Sequence, residues 1–154
     1  MKARRALTLL AAIALLAGAL LACNREKELR NKECGDFAEW SNHVGDPLGN
    51  AVPEAEKSAA AAHSHEQQAA VYRRLAEGAR TSAQASIPFT DPYVKDLAAR
   101  RLKVFDGVAI ALDHQADAWA KGDNEAVNRG LLEEMDAKKG AGAIASEWLN
   151  KCRL

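Results

Sequence analysis

Three groups of residues in this 154-residue chain are of types that could do chemistry: the cysteines and two clusters of possible metal ligands. The first cluster is His63-x-His65-Glu66, and the second is Asp113-His114-x-x-Asp117. On a helix, side chains four residues apart share a face, whereas His63 and His65 point apart. The Glu-x-x-His pattern of di-iron bundles is absent. We therefore expect neither a metal nor a cofactor here, and solvated polar faces are the simpler interpretation.

The sequence contains no catalytic motif that would indicate a particular reaction. Gly-x-Ser-x-Gly, the phosphate-binding P-loop, the dinucleotide fingerprint and the haem-attachment motif are all missing. No C-x-x-C is present, which argues against a thioredoxin-like function. No nucleophile–base pair stands out either. We therefore expect a protein that is not an enzyme.

Cys23 closes an N-terminal segment with the layout of a secretory signal. Lys2, Arg4 and Arg5 give it a basic start, and Ala6 to Ala22 is an uncharged apolar run of 17 residues. A run of that length is at the lower limit for spanning about 30 Å of hydrocarbon, so an uncleaved membrane anchor is the alternative.

The four residues Leu20 to Cys23, "LLAC", resemble the lipobox of bacterial lipoproteins, with small Ala22 directly before the cysteine. The resemblance covers only the first two dozen residues. It implies a signal peptide at residues 1–22 that is removed, and a Cys23 that carries acyl chains such as palmitate on its thiol and its new amino group. Asn24 follows the cysteine instead of the aspartate of inner-membrane retention, which implies an outer-membrane anchor that faces the periplasm.

The remaining chain, residues 23–154, is long enough for one domain with its own core. It holds 18 basic and 21 acidic residues, so nothing indicates a nucleic-acid partner. The cluster Arg100, Arg101 and Lys103 is most simply a solvated helix face. Residues 23–33 are predicted to be the lipidated cysteine with a charged tether or frayed helical turn, and residues 34–154 the folded domain.

Cys34 and Cys152 form an even pair once Cys23 is assigned to lipid. In an oxidising envelope compartment, such a pair favours a disulfide, and this one would enclose nearly the whole domain. Two free thiols are the alternative.

The periodicity of apolar residues predicts helices throughout and no strand. A short helix is expected over 34–44, a loop over 45–53, and an Ala-rich helix from Pro53 to about Ala85. The third helix is expected to start with Asp91 as its cap and Pro92, and to end at Gly122. The last starts at Asp123, and its expected core face is Val127, Leu131, Met135, Ala145, Trp148 or Leu149, and Cys152.

Four helices with short connections predict an all-α, antiparallel up-down four-helix bundle. In that topology Cys34 and Cys152 lie at the same end, which is a second reason to expect their disulfide. The short first helix would leave the opposite end closed by the 45–53 loop or open as a groove near His63, His65, Trp119 and Leu131. Tight packing of alanines at that end is the simpler interpretation.

The sequence thus favours a lipid-anchored, non-enzymatic binding or structural module of the bacterial envelope. Its expected partners are the membrane, through Cys23, and an envelope protein. The second hypothesis is a small-ligand or metal-binding bundle that uses the end with His63, His65 and Trp119. The ligand, the protein partner and the pathway are not predicted.

Overall fold

The computed structural model describes the backbone of residues 2–152 and the side chains of residues 25–152. The described residues form four α-helices and no β-strand: α1 (Lys2–Ala60), α2 (His65–Ala83), α3 (Pro92–Lys121) and α4 (Asn124–Lys151). The all-α prediction is therefore confirmed. Within residues 25–152, no helix combines the length and apolar character needed to cross a membrane.

The helices pack in sequence order as an up-down-up-down bundle, α1 on α2, α2 on α3 and α3 on α4. The first half of the described part of α1 also reaches the start of α3 and the end of α4, where Cys34 and Cys152 form a disulfide. The predicted bundle and its closing disulfide are both present.

The expectation of a short first helix is wrong, because α1 continues without a break through residues 45–53 to Ala60. Pro47 and Pro53 lie inside it. An interior proline removes a helical hydrogen bond and normally breaks the helix. Here packing against α2 outweighs that cost: a Cβ on Gly78 would lie only 3.0 Å from the Pro47 carbonyl oxygen, so the glycine permits a very close helix–helix contact.

The connection predicted at residues 45–53 lies instead at residues 61–64. Ser64 caps the following helix, and its side chain accepts a hydrogen bond from the Gln67 backbone N–H. Helix α2 thus begins at His65 rather than Pro53 and has 19 residues, about 28 Å. The shortest element of the bundle is α2, not the first helix.

The segment between α2 and α3 fills the space that α2 leaves open at the disulfide end. Phe89 of this segment is buried, and its ring centroid lies 6.0 Å from that of Phe37 and 5.4 Å from that of Trp40. The indole N–H of Trp40 donates to the Ser86 carbonyl at 3.1 Å. This aromatic group therefore fixes the loop against α1.

The predicted start and end of α3 and the predicted start of α4 are confirmed. The Asp91 side chain accepts hydrogen bonds from the N–H groups of Tyr93 and Val94 at the start of α3. Gly122 ends α3 with φ of 66°, a left-handed conformation that glycine adopts without strain. Asp123 then caps α4 through the Ala126 N–H.

The predicted core face of α4 is wrong at Leu131, Met135 and Ala145, which are exposed, whereas Val127, Trp148 and Cys152 are half-buried. Leu131 and Met135 are 47% and 52% exposed, whereas Gly130 and Ile144 are the buried residues of this helix. A Cβ on Gly130 would lie 2.6 Å from Cγ of buried Gln115, so α3 and α4 approach each other through small residues. Apolar periodicity does not reveal such a face.

Candidate functional site

The proposed attachment residue, Cys23, lies outside the residues whose side chains the structure describes, as does the predicted signal peptide at 1–22. The lipobox resemblance therefore stays a prediction. Residues 25–33, predicted as a tether, are helical, and their side chains are exposed up to Lys32. Glu33 is buried and belongs to the folded domain.

At the disulfide end, a covalent bond, a hydrogen bond and a hydrophobic cluster connect α1, α3 and α4. The Cα atoms of Cys34 and Cys152 are 5.6 Å apart, although 118 positions separate them in sequence. Cys34 is 1% exposed and packs with Phe37, Val94 and Leu97. The indole Nε1 of Trp148 donates a 2.8 Å hydrogen bond to the Cys34 carbonyl. A covalent bond and a hydrogen bond thus join α1 to α4.

A buried carboxylate, Glu33, holds the start of α3 beside the disulfide. It accepts hydrogen bonds from the Thr90 hydroxyl at 2.7 Å, the Thr90 N–H at 3.0 Å and the Asp91 N–H at 2.8 Å. Arg30 balances the adjacent Asp91 carboxylate, with Nε 3.2 Å from Oδ2. Both Arg30 and Glu33 belong to the segment predicted as a charged tether. Only their closeness to Cys34, one turn before it for Arg30 and directly before it for Glu33, could have indicated this role.

The pKa of Glu33 lies below its ordinary value. Burial alone would raise it, but the hydrogen bonds from Thr90 and Asp91 favour the ionised carboxylate and together outweigh burial. Because three donors already bind it, Glu33 is a structural anion and not a free general base.

The predicted groove residues are only partly brought together. The rings of His65 and Trp119 lie 6.2 Å apart, and Tyr72 stacks on Trp119 at 6.4 Å. His63 is exposed beside them in the connection between α1 and α2, whereas Leu131 lies on an exposed face of α4. An aromatic contact between α2 and α3 is therefore formed by His65, Tyr72 and Trp119. It is what helix–helix packing produces and does not by itself indicate a binding groove.

A groove of about 300 Å³ does lie at this end, but between α1 and α2. Ala55, Ala62, Val71 and Arg74 line it, and none of the four predicted residues does. Arg74 already pairs with Glu54 of α1 at 3.1 Å. The open space and the predicted residues are thus at different places.

Two of the three possible metal ligands on α3 have other partners. Asp113 pairs with Arg80 of α2, and Nδ1 of His114 lies 2.6 Å from the Glu133 carboxylate of α4. Within residues 25–152, no group of three or more His, Cys, Asp or Glu side chains has the arrangement to hold a metal ion. These side chains link helices.

The basic cluster on α3 was predicted as a solvated face, but its residues Arg100 and Arg101 lie in different environments. Arg100 pairs with Glu147 of α4 at 2.8 Å and with Asp96 at 2.9 Å. Arg101 is half-buried in a groove between α1 and α4, with its guanidinium carbon 4.7 Å from the centre of the Phe105 ring. The interpretation as a solvated face is therefore wrong for Arg101.

The chain matches no protein-family model, no curated protein and no solved structure.

Proposed function

We propose that this protein is a lipid-anchored lipoprotein of the bacterial envelope whose helical bundle acts as a non-enzymatic binding or structural module. Cys23 attaches it to the outer membrane, and the bundle of residues 34–154 faces the periplasm. The observation that carries this proposal is the pairing of Cys34 with Cys152. Of the three cysteines in the chain, it leaves Cys23 alone, directly after the apolar N-terminal run.

The disulfide also supports the proposed compartment. Disulfides persist in the periplasm and on cell surfaces, and they are rare in the reducing cytosol. A bond that encloses almost the entire folded domain is of use only where it stays oxidised. Lipidation of Cys23 would also explain stable membrane attachment, because one acyl chain gives only marginal attachment whereas several chains on one residue make it durable.

The non-enzymatic role is supported by how the potentially reactive side chains are used. Glu33 is held by three hydrogen bonds from Thr90 and Asp91, and His114 is paired with Glu133 across the α3–α4 interface. Each of these groups fastens one element to another. Their chemistry is that of a rigid scaffold.

A binding role is supported by an exposed apolar patch on α4. Leu131, Leu132 and Met135 are 47%, 61% and 52% exposed and lie within five positions of one another. Single exposed apolar residues are ordinary, but contiguous ones are a feature of interaction surfaces. This patch is where we place the contact with an envelope protein partner. The geometry of the His63, His65 and Trp119 end adds no support to the second hypothesis.

Fractionation of cells that express wild-type protein or Cys23→Ser tests the anchor. We expect wild-type protein in the outer-membrane fraction and the variant outside it, as unprocessed precursor or unlipidated protein. Cys34→Ser/Cys152→Ser is the matched control, because it alters cysteines without touching the attachment site and should stay with the membrane. Equal recovery of wild type and Cys23→Ser in the outer-membrane fraction would reject the proposal.

Photo-crosslinking from position 135 tests the binding role in the same cells. We expect a discrete adduct with an envelope protein when the crosslinker replaces Met135. A crosslinker at Lys139, one turn further along α4, is the control position and should give less adduct. The same weak adducts at both positions would contradict a partner surface at this patch.

A further inference from the structure

An open groove of about 260 Å³ lies between α1 and α4, starting one turn from the disulfide. Phe37 of α1 and Ile144 and Trp148 of α4 give it apolar walls. Ser41 and Asn42 add polar groups on the α1 side, and Arg101 of α3 reaches into it. The groove therefore combines an apolar surface with one cationic side chain.

Arg101 lacks the counter-charge that its neighbour has. Arg100 pairs with Glu147 and Asp96, and its hydrogen bond to Glu147 is the main reason for its raised pKa. No carboxylate within the described part of the chain pairs with Arg101, and its Nε is buried without a hydrogen-bond partner there. Burial lowers the pKa of Arg101, but a guanidinium stays protonated at neutral pH.

A half-buried cation without a partner is costly unless an anion compensates it. The ring of Phe105 provides part of the compensation, because a guanidinium is attracted to an aromatic face. The planar donors of a guanidinium match the oxygens of a carboxylate or phosphate far better. A carboxylate or phosphate in the groove would therefore compensate the charge of Arg101 more fully than Phe105 does.

We propose that the α1–α4 groove binds a small amphiphilic anion, with its headgroup on Arg101 and its apolar tail against Phe37, Ile144 and Trp148. Ser41 and Asn42 supply further hydrogen-bonding groups at the α1 wall of the groove. The volume of about 260 Å³, just below the usual range for small-molecule sites, fits a short acyl chain rather than a complete phospholipid. A carboxylate or a phosphate headgroup fits the same chemistry.

This inference deepens the binding role proposed above and rests on it. The two can fail separately, because the groove does not involve Cys23 or the exposed patch on α4. Loss of binding in the groove would leave the fractionation and crosslinking results unchanged.

The test is calorimetric titration of the mature lipidated protein in nanodiscs with octanoate and with octyl phosphate, after subtraction of empty nanodiscs. We expect saturable binding of at least one anion, and the tighter of the two identifies the headgroup. Octanamide has the same tail length without the charge. A hydrogen bond to a charged group corresponds to a preference of roughly ten- to a hundred-fold for the anion over octanamide.

Three variants separate a binding role of Arg101 from a structural one. Arg101→Gln should lower anion affinity by roughly ten- to a hundred-fold, whereas Arg101→Lys, which keeps the charge but not the planar donors, should lower it less. Arg100→Gln, which removes the neighbouring charge outside the groove, should bind like wild type. Equal affinity for octanoate and octanamide, unchanged binding in Arg101→Gln, or no saturable binding of either anion would overturn the proposal. The octanamide comparison uses wild-type protein, so it tests whether binding depends on the anionic headgroup even if Arg101→Gln does not fold.

Discussion

Trp148 donates its indole N–H to the backbone carbonyl of Cys34 at 2.8 Å, one turn before α4 reaches the disulfide. The first and last helices are therefore joined at two points. Since α1 otherwise packs mainly on α2, these two links hold the ends of the bundle together.

The contribution of that hydrogen bond can be isolated with two tryptophan variants. Trp148→Phe loses the bond to Cys34, whereas Trp119→Phe loses none, because the buried Trp119 Nε1 has no partner among the described residues. Both changes remove a similar volume. In chemical denaturation we expect Trp148→Phe to cost about 1 kcal/mol more than Trp119→Phe. Equal costs would mean that the hydrogen bond contributes nothing to stability.

Removal of the disulfide should be the most destabilising change at this end of the molecule. In the chain-entropy model, a loop closed by residues 118 positions apart is worth about 5 kcal/mol, which corresponds to a fall in melting temperature of roughly 15–20 °C. We expect Cys34→Ser/Cys152→Ser to melt at the same lower temperature as reduced wild-type protein. By hydrogen exchange, α1 around Phe37 should lose protection before α3 does. A melting temperature that does not respond to reductant would contradict this prediction.

Glu33 should make the stability of the domain depend on pH in the acid range. Its folded pKa is lowered, so its contribution is present above its ordinary pKa of 4.5 and is lost as the pH falls through the folded value. We expect Glu33→Gln to cost about 1–3 kcal/mol at pH 7 and progressively less below pH 4.5. Exposed Glu28→Gln is the control, with no change expected at either pH. A constant difference between wild type and Glu33→Gln from pH 7 to pH 3 would refute the assignment.

Two glycines on α4 should respond in opposite ways to alanine. Gly142 has nothing within 4 Å of an added Cβ, so Gly142→Ala should stabilise the helix by about 0.5–1 kcal/mol. At Gly130 the added Cβ would lie 2.6 Å from Cγ of Gln115 and 3.3 Å from the Ala111 carbonyl oxygen. Gly130→Ala should therefore cost about 1–3 kcal/mol by overpacking. Stabilisation by both substitutions would show that α3 and α4 are less close than the structure indicates.

Much of the fold follows from local signals in the sequence. The Asp91–Pro92 start, the Gly122 end and the Asp123 cap depend on neighbouring residues only, and they were predicted correctly. The disulfide was also predicted, because the parity of the cysteines and the topology of a four-helix bundle point to the same pair. Both arguments are independent of exact helix lengths.

What the sequence did not predict depends on contacts between distant residues. Helix α1 continues through Pro47 because Gly78 of α2 lets the two backbones approach, and nothing near Pro47 indicates this. The buried side of α4 uses Gly130, so a search for large apolar residues selected Leu131 instead. Arg101 and Arg100 are alike in sequence, and only the position of α1 and Glu147 distinguishes them.

The N-terminal peptide of the protein purified from membranes tests the central claim most directly. Its mass and fragmentation spectrum should show a chain that begins at Cys23, with acyl groups on both the sulfur and the α-amino nitrogen of that residue. Residues 1–22 should be absent. A chain that still contains residues 1–22 and carries a free Cys23 thiol would contradict the account of this protein as a lipid-anchored envelope module.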